Sequence, residues 1–162
     1  METIIVSMET MARRSTAGLE DHLGYWLRWV SNHASGEFRR ALQTRRTSVA
    51  EWVVLCHLEE RPGITPGELA EALSLTRGAV SKVIDKLEAK KWIAGSTKPE
   101  DNRVRLLSLT RSGSRVLPEL RQIADRNDQA FFGVLEDNER ATLQRLLSKL
   151  SERHDIEAVP IE

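Results

Sequence analysis

The chain has 162 residues, 40% of them hydrophobic and 30% charged, with 24 basic side chains against 24 acidic ones. That length and balance suit one domain or an elongated helical unit with a modest core, and they exclude a chain disordered throughout. A lone cysteine, Cys56, excludes an intramolecular disulfide framework and fits a reducing, cytoplasmic setting, and there is no run of about 18 apolar residues to span a membrane.

Residues 1–18 read as a loose arm in which Met1, Met8 or Met11 can be the start. The apolar cluster Ile4-Ile5-Val6 precedes Arg13-Arg14, the wrong order for a secretory signal. Residues 19–46 carry a helical pattern without proline, with Leu23, Leu27, Val30, Ala34 and Phe38 on one face. His22, Trp26, Trp29 and His33 form a second stripe beside it, and so wide an apolar arc touches more than one surface. The two tryptophans serve either burial and subunit contact or the walls of a ligand pocket.

Thr47 or Ser48 caps the next helix, with Glu51 placed three residues past Ser48 as in a capping box. Val49, Val53 and Cys56 are expected as its inner line, flanked by Trp52 and Leu55, and Arg61-Pro62-Gly63 ends it. Thr65-Pro66-Gly67-Glu68 then opens a short helix with a cap, a proline at the first helical position and an acid three residues past the cap. After the turn at Leu73-Ser74-Leu75, Thr76 caps a second helix whose Val80, Val83, Ile84 and Leu87 point inward. Arg77, Gly78, Ser81, Lys82 and Asp85 are left outward, a set that suits a helix lying on phosphates and base edges. Trp92-Ile93-Ala94 and Val104 to Leu109 follow as two short strands around a polar tip, Lys98 to Arg103. Helix, turn, helix and a two-stranded wing form a DNA-binding arrangement, with the second helix in the major groove. Charge agrees: Arg61 to Val116 holds 11 basic and 6 acidic residues, while the segments before and after it are slightly acidic.

Through Glu68-Leu69-Ala70, Gly78 to Glu88, Asp101-x-Arg103 and Leu109-Thr110-x-x-Gly113, the sequence resembles the MarR-type winged-helix repressors, the multiple antibiotic resistance regulators. It departs from their pattern at Lys91, where a glycine usually follows the reading helix, and at Asn102, the first of two usual wing arginines. The resemblance implies a mostly α fold (α+β): a winged helix-turn-helix over residues 47–116, flanked by dimerisation helices at 19–46 and 117–162. It implies a homodimeric repressor of duplex DNA carrying an inverted-repeat operator, released by a small molecule that binds between the dimerisation region and the reading domain. The residues expected at DNA are Thr65, Thr76, Arg77, Gly78, Ser81, Lys82, Lys86, Lys98, Asp101, Asn102 and Arg103. Trp26, Trp29, His33 and Trp52 are the candidates for the effector, for which an aromatic or amphipathic acid suits flat apolar walls with a titratable tip. Asp101 and Arg103 stand two apart, so the carboxylate is expected to hold the Arg103 guanidinium in one orientation.

Thr110 caps a long helix with Leu117, Leu120, Ile123, Ala124, Phe131 and Leu135, in which Pro118 fits as a local kink or near the first turns. Asp137 caps a last helix whose Leu143, Leu146, Leu147 and Leu150 need a partner outside one winged helix and read as a dimer seam. No catalytic set emerges. Cys56 and His57 are neighbours on a helix and point about 100 degrees apart, and there is no phosphate loop, GxSxG or HExxH. His22, His33, His57 and His154 have no metal-ligand spacing, so neither metal nor cofactor is expected. The alternatives to a ligand-released repressor are a winged helix that docks on proteins and a regulator that senses oxidants through Cys56.

Overall fold

The structure, a computed structural model, describes residues 18–98 and 101–156, with nothing described of the Asn102 side chain. Its elements are a 3-10 turn, Leu19–Asp21, then α1 (Leu23–Gln43), α2 (Val49–Glu60), α3 (Pro66–Ala72), α4 (Arg77–Ala89), β1 (Ile93–Lys98), β2 (Asp101–Leu109), α5 (Arg111–Phe132) and α6 (Asp137–Arg153). Of the arm expected at 1–18, residues 1–17 lie outside the described residues, as does the tail from Val159. The chain divides inside α1 into two compact units, Met1–Gly36 and Glu37–Glu162.

In the first unit α1 starts four residues later than the periodicity suggests, because Leu19–Asp21 closes a separate turn on Gly18, whose N–H donates to the Asp21 carboxylate at 2.8 Å. The Trp26 indole N–H then donates back to the Glu20 carbonyl at 2.7 Å. The large apolar residues described here stay exposed, Leu23 by 86% and Trp29 by 58%.

The second unit holds the core, built from Leu42, Val54, Leu55, Leu58, Leu69, Val80, Ile84, Leu87, Leu107, Leu117, Leu120 and Ile123. Each such side chain withdrawn from water contributes roughly 1.5–3 kcal/mol before the entropy of ordering it is subtracted. α2 begins at Ser48, whose hydroxyl accepts the Glu51 N–H at 3.2 Å while the Glu51 carboxylate accepts the Ser48 N–H at 2.7 Å. Its inner face differs from the expected one. Glu51, Val54, Leu55 and Leu58 are buried, and Val49, Val53 and Cys56 only partly so. Glu51 goes inside because its second oxygen accepts Lys90 Nζ at 2.6 Å, so the buried carboxylate is both bonded and neutralised.

α5 is capped by Thr110 and continues past Pro118, which sits in the helix interior rather than its first turns. Gly113 is required there, since a Cβ would lie 2.0 Å from the Trp92 carbonyl oxygen. α6 is capped one residue earlier than expected, at Glu136, whose N–H donates to the Glu139 carboxylate at 2.9 Å. Asp137 is therefore the first helical residue, where its charge suits the helix dipole. No described helix is long and apolar enough to cross a membrane.

Candidate nucleic-acid interface

α3 and α4 form the helix-turn-helix. Thr65 and Glu68 cap α3 reciprocally: Thr65 Oγ1 accepts the Glu68 N–H at 3.2 Å and the Glu68 carboxylate accepts the Thr65 N–H at 2.8 Å. The Thr65 N–H, and the Thr65 hydroxyl at 2.7 Å, both donate to that carboxylate and hold it below the usual glutamate range. The Thr65 hydroxyl is thus committed to the cap. Leu73 and Ser74 make the turn, with Ser74 in the left-handed region at φ 49° and the Leu75 N–H returning to the Ala70 carbonyl at 2.9 Å.

Thr76 Oγ1 accepts the Ala79 N–H at 3.2 Å and starts α4. Val80, Ile84 and Leu87 are buried beneath that helix, which leaves Thr76, Arg77, Gly78, Ser81, Lys82, Asp85 and Lys86 together on its exposed side. Lys91 ends it at φ 59°, the left-handed conformation that glycine takes most easily, and the Lys91 N–H reaches the Glu88 carbonyl at 2.8 Å. A lysine therefore occupies the glycine-type cap without breaking it.

The wing is longer than the apolar runs suggest. β1 and β2 pair antiparallel from Ile93↔Leu109 to Thr97↔Arg105, and after a register shift Lys98 pairs with Asp101. Leu107 also bridges to Ile64 through N–H to O=C at 2.9 Å, which ties the wing to the segment that enters α3. At the tip Lys98, Asp101 and Arg103 are exposed, and Pro99 and Glu100 lie outside the described residues. Asp101 does not hold the guanidinium of Arg103. Its Oδ1 accepts the Arg103 backbone N–H at 2.9 Å, and no ion pair among the described residues involves Arg103. A short aspartate reaches an amide two residues on more readily than the far end of an arginine.

An acid-arginine pair does exist two residues further along β2. Arg105 Nη2 meets Glu88 Oε1 at 2.5 Å, joining β2 to the last turn of α4. Gly95 makes room for it, since a Cβ there would lie 2.6 Å from Arg105 Nε. Arg105, Arg77, Ser81, Ile84, Pro66 and Gly67 line one open cleft of about 440 Å³ between the helices and the wing. Sequence reasoning missed Arg105. Its one signal is parity with Arg103 on β2, which puts both on one face of the strand.

The profile of the MarR family matches residues 47–104, the stretch from the start of α2 into the wing. A protein described as the candidate transcriptional regulator of the hcr operon of Thauera aromatica is 33% identical over 129 residues, 79% of this chain and 78% of that protein. The chain belongs to the MarR family. A mutant MarR from E. coli complexed with operator DNA superposes with a TM-score of 0.71 at 29% identity, covering 84% of this chain and 99% of that one. Bordetella bronchiseptica BpsR, solved in a study of how 6-hydroxynicotinic acid regulates its DNA binding, superposes with a TM-score of 0.73 at 28% identity, covering 85% and 98%. The winged helix-turn-helix expected from the sequence is thus the MarR fold.

In this MarR-family chain the remaining candidates separate. Trp26 and Trp29 lie in tilted contact, with ring centroids 5.5 Å apart, and Tyr25 joins them at 6.0 and 6.2 Å. His33 follows on the same helix. Trp52 belongs to the second unit, edge-on to Phe38 at 5.0 Å, and its buried indole N–H has no acceptor among the described residues. Leu143, Leu146, Leu147 and Leu150 all lie exposed on α6. Cys56 is half-buried, and burial pushes its thiol up; the nearby Arg121 guanidinium pulls the other way, but less. Such a thiol is protonated at neutral pH and is a poor nucleophile.

Proposed function

We propose that this MarR-family regulator is a homodimer that binds duplex DNA sequence-specifically and represses transcription until a small aromatic acid releases it. The observation that carries the reading is the exposed side of α4. It gathers Thr76, Arg77, Gly78, Ser81, Lys82 and Lys86 beside a wing bearing Lys98, Asp101, Asn102 and Arg103. Arg77, Lys82 and Lys86 supply charge for phosphates and base edges; Gly78 lets the backbone approach closely; the Thr76 hydroxyl, accepting one bond in its cap, keeps a proton to donate. Thr65 takes part only by positioning α3. The operator complex of E. coli MarR supports the DNA partner and BpsR supports an aromatic acid as effector.

The dimer rests on α6, where Leu143, Leu146, Leu147 and Leu150 present an apolar line to water, and on the exposed Leu19, Leu23 and Leu27 before it. A symmetric pair would set its two α4 helices on half-sites roughly 34–36 Å apart on an inverted repeat. Trp26 and Trp29, with His33 near them in sequence, are the proposed walls for the acid, and the unpaired indole N–H of Trp52 is a separate anchor for an acceptor. The relatives are regulators rather than enzymes, and a cytoplasmic site of action follows from a DNA partner.

Fluorescence anisotropy of a genomic-fragment library, titrated at several salt concentrations, tests the DNA reading. Affinity should fall steeply with salt, with a log–log slope of about −0.9 per phosphate contacted. A flat dependence would place the chain with winged helices that dock on proteins. Sedimentation of a chain ending before Asp137 tests the seam, since a soluble dimer lacking α6 would refute it.

A further inference from the structure

A helix in the major groove and a wing alongside the adjacent groove must straddle one phosphodiester strand, so whatever lies at the base of the cleft between them faces that strand. Here the base is lined by two arginines and a hydroxyl, Arg105 from β2 with Arg77 and Ser81 from α4. Guanidinium groups match the geometry of phosphate oxygens through paired N–H donors, and a serine hydroxyl adds a third donor. Arg105 is not a loose surface charge. Its strand face continues into Leu107, fully buried in the core, and its side chain lies across Gly95, where a Cβ would be 2.6 Å from Nε. Glu88 takes one Nη2 donor at 2.5 Å and so fixes the plane of the guanidinium. An arginine has five N–H donors, so a single carboxylate oxygen leaves others for a second anion.

We infer that Arg105, oriented by Glu88 across Gly95, contacts a DNA backbone phosphate in the cleft it shares with Arg77 and Ser81. The inference rests on the DNA-binding reading. It transfers to Glu88 and Arg105 the orienting role that Asp101 does not perform for Arg103. Glu88 is a positioning residue: its carboxylate would repel phosphate if it acted alone, and it helps only through the arginine it holds. The contact is to the backbone, so it adds affinity and register rather than sequence preference.

The test is a double-mutant cycle on one mixed-sequence duplex titrated over a range of salt, using wild type, Arg105→Gln, Glu88→Gln and the double variant, with circular dichroism melts to monitor folding. Arg105→Gln should lower the magnitude of the salt slope by about 0.9, the share of one phosphate. Glu88→Gln should weaken binding in the wild-type background yet tighten it in the Arg105→Gln background, where only its negative charge remains to be lost. Gly95→Ala keeps every charge but moves the guanidinium, and should behave as Glu88→Gln does. An unchanged slope in Arg105→Gln, or tighter binding by Glu88→Gln in both backgrounds, overturns the inference while leaving DNA binding intact. A wild-type chain that does not bind duplex at all overturns the functional reading beneath it.

Discussion

Gly113 offers a substitution for which local propensity and packing predict opposite signs. It sits in the first turn of α5, where replacing glycine by alanine in a helix ordinarily stabilises by roughly 1 kcal/mol. In this fold the new methyl would lie 2.0 Å from the Trp92 carbonyl oxygen, 2.9 Å from its carbon and 3.3 Å from its Cα, all of them backbone. Relief requires the two segments to part by more than 1 Å, since ordinary C···O contacts start near ~3.3 Å. That movement disrupts two bonds to the same carbonyl, from the Thr110 N–H at 2.9 Å and the Thr110 hydroxyl at 3.1 Å. Two net hydrogen bonds are worth about 1–3 kcal/mol together, and overpacking a tight site costs about 1–3 kcal/mol more. After subtracting the propensity gain, Gly113→Ala is expected to destabilise by roughly 3 kcal/mol. Urea denaturation followed by far-ultraviolet circular dichroism gives the value. A variant as stable as wild type, or more stable, would refute the close approach of α5 to the strand entry.

Lys91→Gly relieves a left-handed residue at the end of α4, and the gain should be a few tenths to about 1 kcal/mol by the same denaturation assay, with DNA affinity reduced no more than one lost surface cation explains. The Glu68 carboxyl is held below its ordinary range, so its contribution to folding is complete above the unfolded value and disappears as pH falls through the lower folded value; the stability advantage of wild type over Glu68→Gln should therefore shrink only on the acid side of about pH 4.3. Cys56, its thiol pushed up by burial, should react with iodoacetamide at pH 8 more slowly than a free thiol, and Cys56→Ser should change stability by less than about 1–3 kcal/mol because the site is only half-buried; fast alkylation coupled to loss of DNA binding would favour the oxidant-sensing alternative.

What was legible in the sequence was local. Ser48, Thr65, Thr76 and Thr110 each accept the N–H of the residue three positions on, a geometry that the residue types and spacing alone specify. The buried stripe of α4 and its polar opposite side followed from the helical period for the same reason. α2 was misread because Val49 to Leu58 is apolar nearly all round, so periodicity could not choose a face. The deciding residue, Glu51, is buried by a lysine 39 positions away. Arg105 was missed on similar grounds, since its partner Glu88 stands 17 positions back and is brought near only when the hairpin forms. At the wing tip, proximity in sequence suggested a side-chain pair, and the shorter reach to the main chain won. The leucines of α6 were legible as an apolar line, and among the described residues they stay exposed.

The contacts around α4 also bear on how an effector would release DNA in the proposed repressor. At its end Lys90 Nζ donates to the Arg46 carbonyl and to Glu51, both at 2.6 Å, and lies 4.7 Å from the centre of the Trp92 ring. The Trp92 carbonyl in turn receives Thr110 at the start of α5, and Arg105 ties the wing to Glu88. Turning α4 alone would leave the Glu51 carboxylate buried without its cation, a penalty of about 3–5 kcal/mol before any other contact is lost. A typical allosteric coupling is only about 1–3 kcal/mol, so displacing α4 alone asks more of an effector than such a coupling supplies. It is cheaper to move the winged unit whole, and in the proposed homodimer that means changing the spacing of the two α4 helices on the half-sites. An effector acting this way binds the wrongly spaced dimer better than the correctly spaced one. It should therefore leave binding to an isolated half-site nearly unchanged while abolishing binding to the full inverted repeat. Equal loss on both duplexes would mean that α4 itself is displaced, against the penalty just given.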